Sequence, residues 1–153
     1  MLGFFEVEIF PYKVLFKSIR THVLTQNEIF PGKGPNGLPE AKKMIYDSLK
    51  SGCCFVANDY HADSRGFRFF AERNNRIYNM GDTIHDEGKH KFKVLVPAPK
   101  AEIRLIKNGV LIDSVEDKEC EFIIDKNGAY RVEVFINGNA WIYSNHIRVG
   151  LND

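Results

Sequence analysis

With 153 residues, 44% of them apolar and 27% charged, the chain is long enough to bury a core and too apolar to be disordered. Its formal net charge is +1, and basic and acidic residues alternate along it. No basic field exists to hold a nucleic-acid backbone and no polybasic segment to hold a membrane surface, so both partners are disfavoured. Cys53, Cys54 and Cys120 make an odd set. On a strand, Cys53 and Cys54 point to opposite faces and are poor partners for each other, a pattern that suits reduced thiols in the cytoplasm. The N-terminal segment has acids where a signal peptide needs a basic region, and no apolar run approaches the ~20 residues of a membrane helix. A soluble, cytoplasmic protein is expected.

In chain order, residues 4–10 alternate roughly apolar and polar, and Pro11 ends them. Residues 12–24 have a second extended character, with Val14, Phe16 and Val23 predicted inward. Residues 26–37 are rich in Gly, Pro and Asn and predict an exposed loop. Residues 38–51 predict the main helix. Pro39 suits its first turn, Glu40 its positive start, and Lys50 and Gly52 its end, with Leu38, Ala41, Ile45 and Leu49 as the buried stripe. Residues 53–57 read as a short buried strand, 67–71 as another and 77–80 as a third, with a turn at Asn74-Asn75.

Beyond residue 80 the pattern becomes regular. Residues 91–96 alternate around Phe92, Val94 and Val96. Residues 102–107 and 110–114 flank Asn108-Gly109, the strongest short hairpin signal. Residues 120–124 and 129–135 flank Lys126-Asn127-Gly128, and 140–149 read as one closing strand. The fold class expected is mainly β: a C-terminal immunoglobulin-like antiparallel β-sandwich over 80–150, preceded by a small α/β segment over 1–73. Asp125-Lys-Asn-Gly-Ala-Tyr130 resembles the tyrosine corner of such sandwiches, in which Tyr130 buries its ring and its hydroxyl bonds back to nearby backbone. Val132 stands where the sandwich cysteine would, so no inter-sheet disulfide is expected.

Chemistry-bearing residues are few. Asp59-Tyr-His61-Ala-Asp63 offers Asp59, His61 and Asp63 as metal ligands, because a carboxylate and an imidazole two residues apart share a strand face. The plainer reading is a polar turn between two strands. Arg20-Thr-His22 beside an extended segment could bind an anion, or could be a strand with solvated tips. His85-Asp-Glu87 and His90 read as an exposed loop. The thiols of Cys53 and Cys54 read as packing, and the loop of residues 31–37 lacks the ending of a phosphate cradle. Trp141 and Tyr143, predicted on one strand face with Phe135 across the turn, could form an aromatic ligand platform or be core and interface aromatics.

One resemblance rests on the order of landmarks. These are Pro11-Tyr-Lys-Val-Leu-Phe16, Arg20-Thr-His-Val-Leu24, Gly52-Cys-Cys-Phe-Val-Ala-Asn-Asp59, Arg65-Gly-Phe-Arg-Phe69, Met80-Gly-Asp82, Arg104-Leu-Ile-Lys-Asn-Gly109, Gly128-Ala-Tyr-Arg-Val-Glu133 and Trp141-Ile-Tyr-Ser-Asn145. The series resembles the C-terminal portion of bacterial PHP-type (polymerase and histidinol phosphatase) metal-dependent phosphoesterases. No single motif is diagnostic. The resemblance implies hydrolase chemistry at a Zn, Mn or Fe cluster in a catalytic barrel that precedes this region, and it transfers no metal ligand to this chain.

A non-catalytic accessory module is therefore expected, without a cofactor of its own, packed in cis or trans on such a catalytic domain. An apolar segment including Phe4, Phe5, Phe10 and Phe16 would serve that contact or a homo-oligomer. The alternatives are a carbohydrate- or protein-binding sandwich and a small single-metal hydrolase.

Overall fold

Side chains of a strand alternate between its faces, and in this chain the alternate residues of nearly every long strand are apolar. His90, Phe92, Val94 and Val96 are buried, as are Ala101, Ile103 and Leu105, and Tyr130, Val132 and Val134. The structure, a computed structural model, describes residues 16, 18–25, 27–29, 37–86 and 88–150. Among them are one long helix, α1 (Gly37–Ser51), and twelve strands in two sheets.

The smaller sheet has the order β4 (Arg76–Asn79), β3 (Arg68–Arg73), β6 (His90–Leu95), β9 (Glu119–Ile124), antiparallel throughout. The larger one is built on β10 (Gly128–Ile136). One flank of β10 pairs β7 (Ala101–Lys107), which pairs β8 (Val110–Asp117). Its other flank pairs β11 (Asn139–Ser144) and then β12 (Ile147–Val149). Beyond β11 lie β2 (Cys54–Asn58) and β1 (Ile19–Val23); beyond β12 lies β5 (Thr83–Ile84), the one parallel pairing. Inner faces of both sheets supply one apolar core, in which Phe69, Phe92 and Tyr130 meet edge to face. Each fully buried side chain of this size contributes about 1.5–3 kcal/mol.

The mainly-β expectation with one main helix holds, and so do most turns. The tyrosine corner is present: Tyr130 is buried and its hydroxyl donates to the Lys126 carbonyl at 2.6 Å. Four expectations change. The division between 1–73 and 80–150 does not follow the sheets, because β2 pairs β11 and β3 pairs β6. Residues 54–73 are part of the sandwich.

The strand expected over 140–149 is two, β11 and β12, both antiparallel to β10 and interrupted at Asn145-His146. Asn145 Nδ2 donates to the Gly52 carbonyl and the His146 carbonyl accepts from Gly81, so this break fastens the helix end to the sandwich.

The helical stripe is largely uncovered: Ala41 is buried, whereas Leu38, Ile45 and Leu49 are exposed. α1 turns the side carrying Ala41, Met44 and Ser48 inward, one step round from the stripe its apolar residues suggest. Phe16, predicted inward, is 77% exposed. Val14, Phe4, Phe5 and Phe10 lie outside the described residues.

Candidate functional site

A dense cluster of chemistry-bearing groups lies where β1 edges the larger sheet. Arg20 and His22 sit opposite Ala57 and Phe55, both core residues, so these two basic side chains occupy the inward face of an edge strand. The His22 ring lies flat on Phe55, centroids 4.6 Å apart and 3° from parallel. Its Nε2 stands 3.1 Å from Asp59 Oδ2 and 3.0 Å from Ser64 Oγ. Ser64 is fully buried, and its hydroxyl donates to Asp59 Oδ1 at 2.6 Å. The Ser64 amide donates to the same oxygen, and Arg20 Nη1 approaches Oδ2 at 3.5 Å. Burial pushes the Asp59 carboxyl up, but hydrogen bonds from Ser64 and His22 overcome it and leave the group below its ordinary value.

A serine, a histidine and an aspartate in contact invite comparison with a nucleophilic triad, and the connectivity answers it. In a triad the serine and the carboxylate address different imidazole nitrogens, so that the base can take the serine proton. Here both address Nε2, and the serine proton is given to the carboxylate. Because the hydroxyl hydrogen goes to Asp59, the Ser64 oxygen accepts from His22 Nε2–H. The three groups close a loop of hydrogen bonds among themselves. Its effect is to plug the open rim of the core beside Phe55 and Phe67 and to place charge on an inward edge position, which discourages further strand pairing.

The expected metal ligands do not converge. Asp59 faces the network just described. Asp63 is exposed and grips Arg65 through both its oxygens, which brings its carboxyl down to about 2. His61 is exposed and packs edge to face on Tyr60. The Asp-x-His spacing fails because β2 ends at Asn58 and the chain turns, so the alternation of a strand no longer applies. Among the described residues no group of three or more His, Cys, Asp or Glu is placed to hold a metal ion. Arg20 and His22, read as anion ligands, are both turned onto Asp59 instead.

The aromatic platform separates. In β11 the register steps from Val134↔Ile142 to Phe135↔Ala140, leaving Trp141 as an extra residue, a bulge. Trp141 and Ile142 can then both point inward, and both are fully buried. The indole donates to the Ala62 carbonyl at 2.9 Å and so ties the 58–67 loop to the core. Tyr143 stays on the outer face, 40% exposed, edge to face with Phe135, whose ring carries the Arg104 guanidinium at 4.0 Å.

The loop reading of His90 was incomplete. His90 opens β6 and is 1% exposed, and Arg73 Nη1 donates to its Nδ1 at 3.3 Å, while Arg73 also pairs with Asp86. Burial and then Arg73 hold the imidazole below its ordinary pKa. The two-residue period of His90, Phe92, Val94 and Val96 was the signal for its burial. Ser64 had no comparable signal. Compared with known protein families, curated proteins and solved structures, the chain finds no match in any of the three.

Proposed function

We propose that this chain is a non-catalytic interaction module. The observation that carries the reading is the closed Asp59–Ser64–His22 network, whose hydrogen bonds spend the best-placed acid, hydroxyl and imidazole on one another. What remains at the surface is sheet faces, strand edges and a half-covered amphipathic helix, the ordinary materials of protein contact. The landmark order quoted above supplies the partner in this reading: a PHP-type metal-dependent phosphoesterase domain, in cis or trans, with the divalent metals residing in that domain.

The test is elemental analysis of the untagged chain prepared without chelator, together with hydrolysis of p-nitrophenyl phosphate in the presence of Zn, Mn or Fe. The expected result is far less than one metal per chain and no hydrolysis above the protein-free rate. Stoichiometric metal that is lost in Asp59→Asn would overturn the reading in favour of a small hydrolase. For the partner, a recombinant phosphoesterase barrel of this type should form a complex with the chain in solution. No complex across several such barrels would remove the phosphoesterase assignment and leave the module.

A further inference from the structure

Both sheets end on the same side of the sandwich. Among the described residues β8 pairs β7 alone and β9 pairs β6 alone, and Lys118 connects the two strands. A strand with one unpaired side carries a row of free N–H and C=O groups, and folded proteins usually blunt such an edge with lysine, proline or brevity. β8 has eight residues and contains neither lysine nor proline. Its one irregularity is a bulge at Ile112, where Leu105↔Asp113 gives way to Ile106↔Leu111. From Asp113 to Asp117 the edge is regular.

The side chains along this edge are sorted. Val110, Leu111 and Ile112 are 64%, 52% and 47% exposed, a run of three aliphatics in water. Next come Asp113, Glu116 and Asp117, and on the neighbouring edge Glu119 and Glu121. Across residues 110–125 there are six acids against one lysine, in a chain whose formal net charge is +1. Some are compensated: Glu116 pairs with Lys100, and Glu121 with Lys91 and Lys93. Asp113 and Asp117 accept the following backbone N–H groups, and Glu119 has no ion pair among the described residues. Asp113 and Asp117 also stand close enough to Cys120 to help push its buried thiol up to about 12, after burial itself.

We infer that the free edge of β8 docks an extended, lysine- or arginine-bearing segment of a protein partner, added as a further strand to the larger sheet. Main-chain hydrogen bonds to β8 supply the affinity, and alternate side chains supply the choice of partner. Aliphatic residues of the segment lie against Val110, Leu111 and Ile112; its cations lie against Asp113 and Asp117, which share one face of the sheet, while Glu116 stands on the other face and adds to the negative field. A second copy of this chain is a poor occupant: antiparallel pairing along the whole strand sets Glu116 and Asp117 of each copy against Leu111 and Val110 of the other, with no cation for any acid, and parallel in-register pairing sets acid against acid. The inference rests on the interaction-module reading and names the chemistry of the partner.

The probe is a fluorescein-labelled peptide of alternating lysine and valine, as long as β8. Its controls replace lysine by glutamate, or place proline at alternate positions to remove backbone donors. Anisotropy should show binding of the first peptide and neither control, at least about tenfold weaker when salt shortens the screening length below strand spacing. Amide protection by NMR should rise along β8. The triple variant Asp113→Asn, Glu116→Gln, Asp117→Asn should lose most of the affinity, and Ile112→Lys should lose it with the acids intact; both change exposed residues. Equal binding of the lysine and glutamate peptides, protection away from β8, or a triple variant that binds normally would each overturn the proposal. So would a concentration-dependent dimer abolished by Ile112→Lys, which would make a second copy the occupant. If the peptide fails while the chain holds no metal and hydrolyses nothing, the edge proposal falls and the module reading stands. Hydrolysis would remove the module reading whatever the peptide does.

Discussion

Ser64 has no exposed surface, yet its hydroxyl serves a carboxylate and an imidazole at once. Ser64→Ala would leave the Asp59 Oδ1 lone pair one donor short and His22 Nε2–H with one acceptor fewer, in a place water reaches poorly. A buried polar group stripped of its partner costs about 1–3 kcal/mol, and urea unfolding of the variant should show a loss of that size. Loss near zero would mean that water replaces the hydroxyl and that the rim is open. Asp59 and His22 could be singled out from the sequence because their side chains carry chemistry. Ser64 could not, since a serine in a polar turn is commonplace and its histidine partner lies 42 positions away. Asp59 and His61 are not strand neighbours, because the strand stops at Asn58, before both, and the turn sends His61 outward.

At the scale of elements, most of the fold was legible where a turn has its own chemistry. Asn108 and Gly109 both have positive φ, 49° and 84°, which asparagine and glycine accept at little cost. Bulges have no such signature, and the misplacement of Trp141 came from one. One extra residue at Trp141 turns the indole and Ile142 to the same inward face, and a two-residue break at Asn145-His146 splits the final strand. The expected outcome is a blue-shifted Trp141 emission that iodide barely quenches. Trp141→Ala should cost about 3–5 kcal/mol in a denaturant melt, as large aromatic truncations in cores do. Red-shifted, readily quenched emission would return Trp141 to the surface. The helix junction gives a second check. Gly81 has φ 94°, and a Cβ there would overlap the Ser51 carbonyl oxygen at the end of α1. Gly81→Ala should therefore destabilise by at least about 1–3 kcal/mol from backbone strain. Circular dichroism should show the helical signal melting ahead of the sheet signal.

For the whole molecule, acid is the informative variable. His90 is held below its ordinary pKa in the folded chain, with Arg73 and Asp86 as the charged groups facing it, and His146 is lowered too, by burial and then Arg148. The unfolded chain therefore binds protons first as pH falls. Stability is fully present above the unfolded value of about 6.5 and is lost as pH drops toward the lower folded value. Asp59, lowered in the folded state, adds a second decline below about 4 by the same sign. Tm measured against pH should be level above neutrality and fall in two steps on the acid side. His90→Leu should flatten the first step and Asp59→Asn the second. A profile with no fall between about pH 6.5 and 5 would contradict the buried, guanidinium-facing imidazole.

The pairing of β2 has a temporal side. One of its neighbours, β1, is made before it; the other, β11, arrives through contacts such as Ala57↔Ile142. A ribosome adding ~5–20 residues per second needs on the order of ten seconds to travel between those two positions. Throughout that interval the nascent β2 has one sealed side and one bare side, with Phe55 and Ala57 still in water. Chaperone holdases that recognise apolar extended segments would meet the chain in that window, so its period of greatest vulnerability belongs to translation rather than to its folded life.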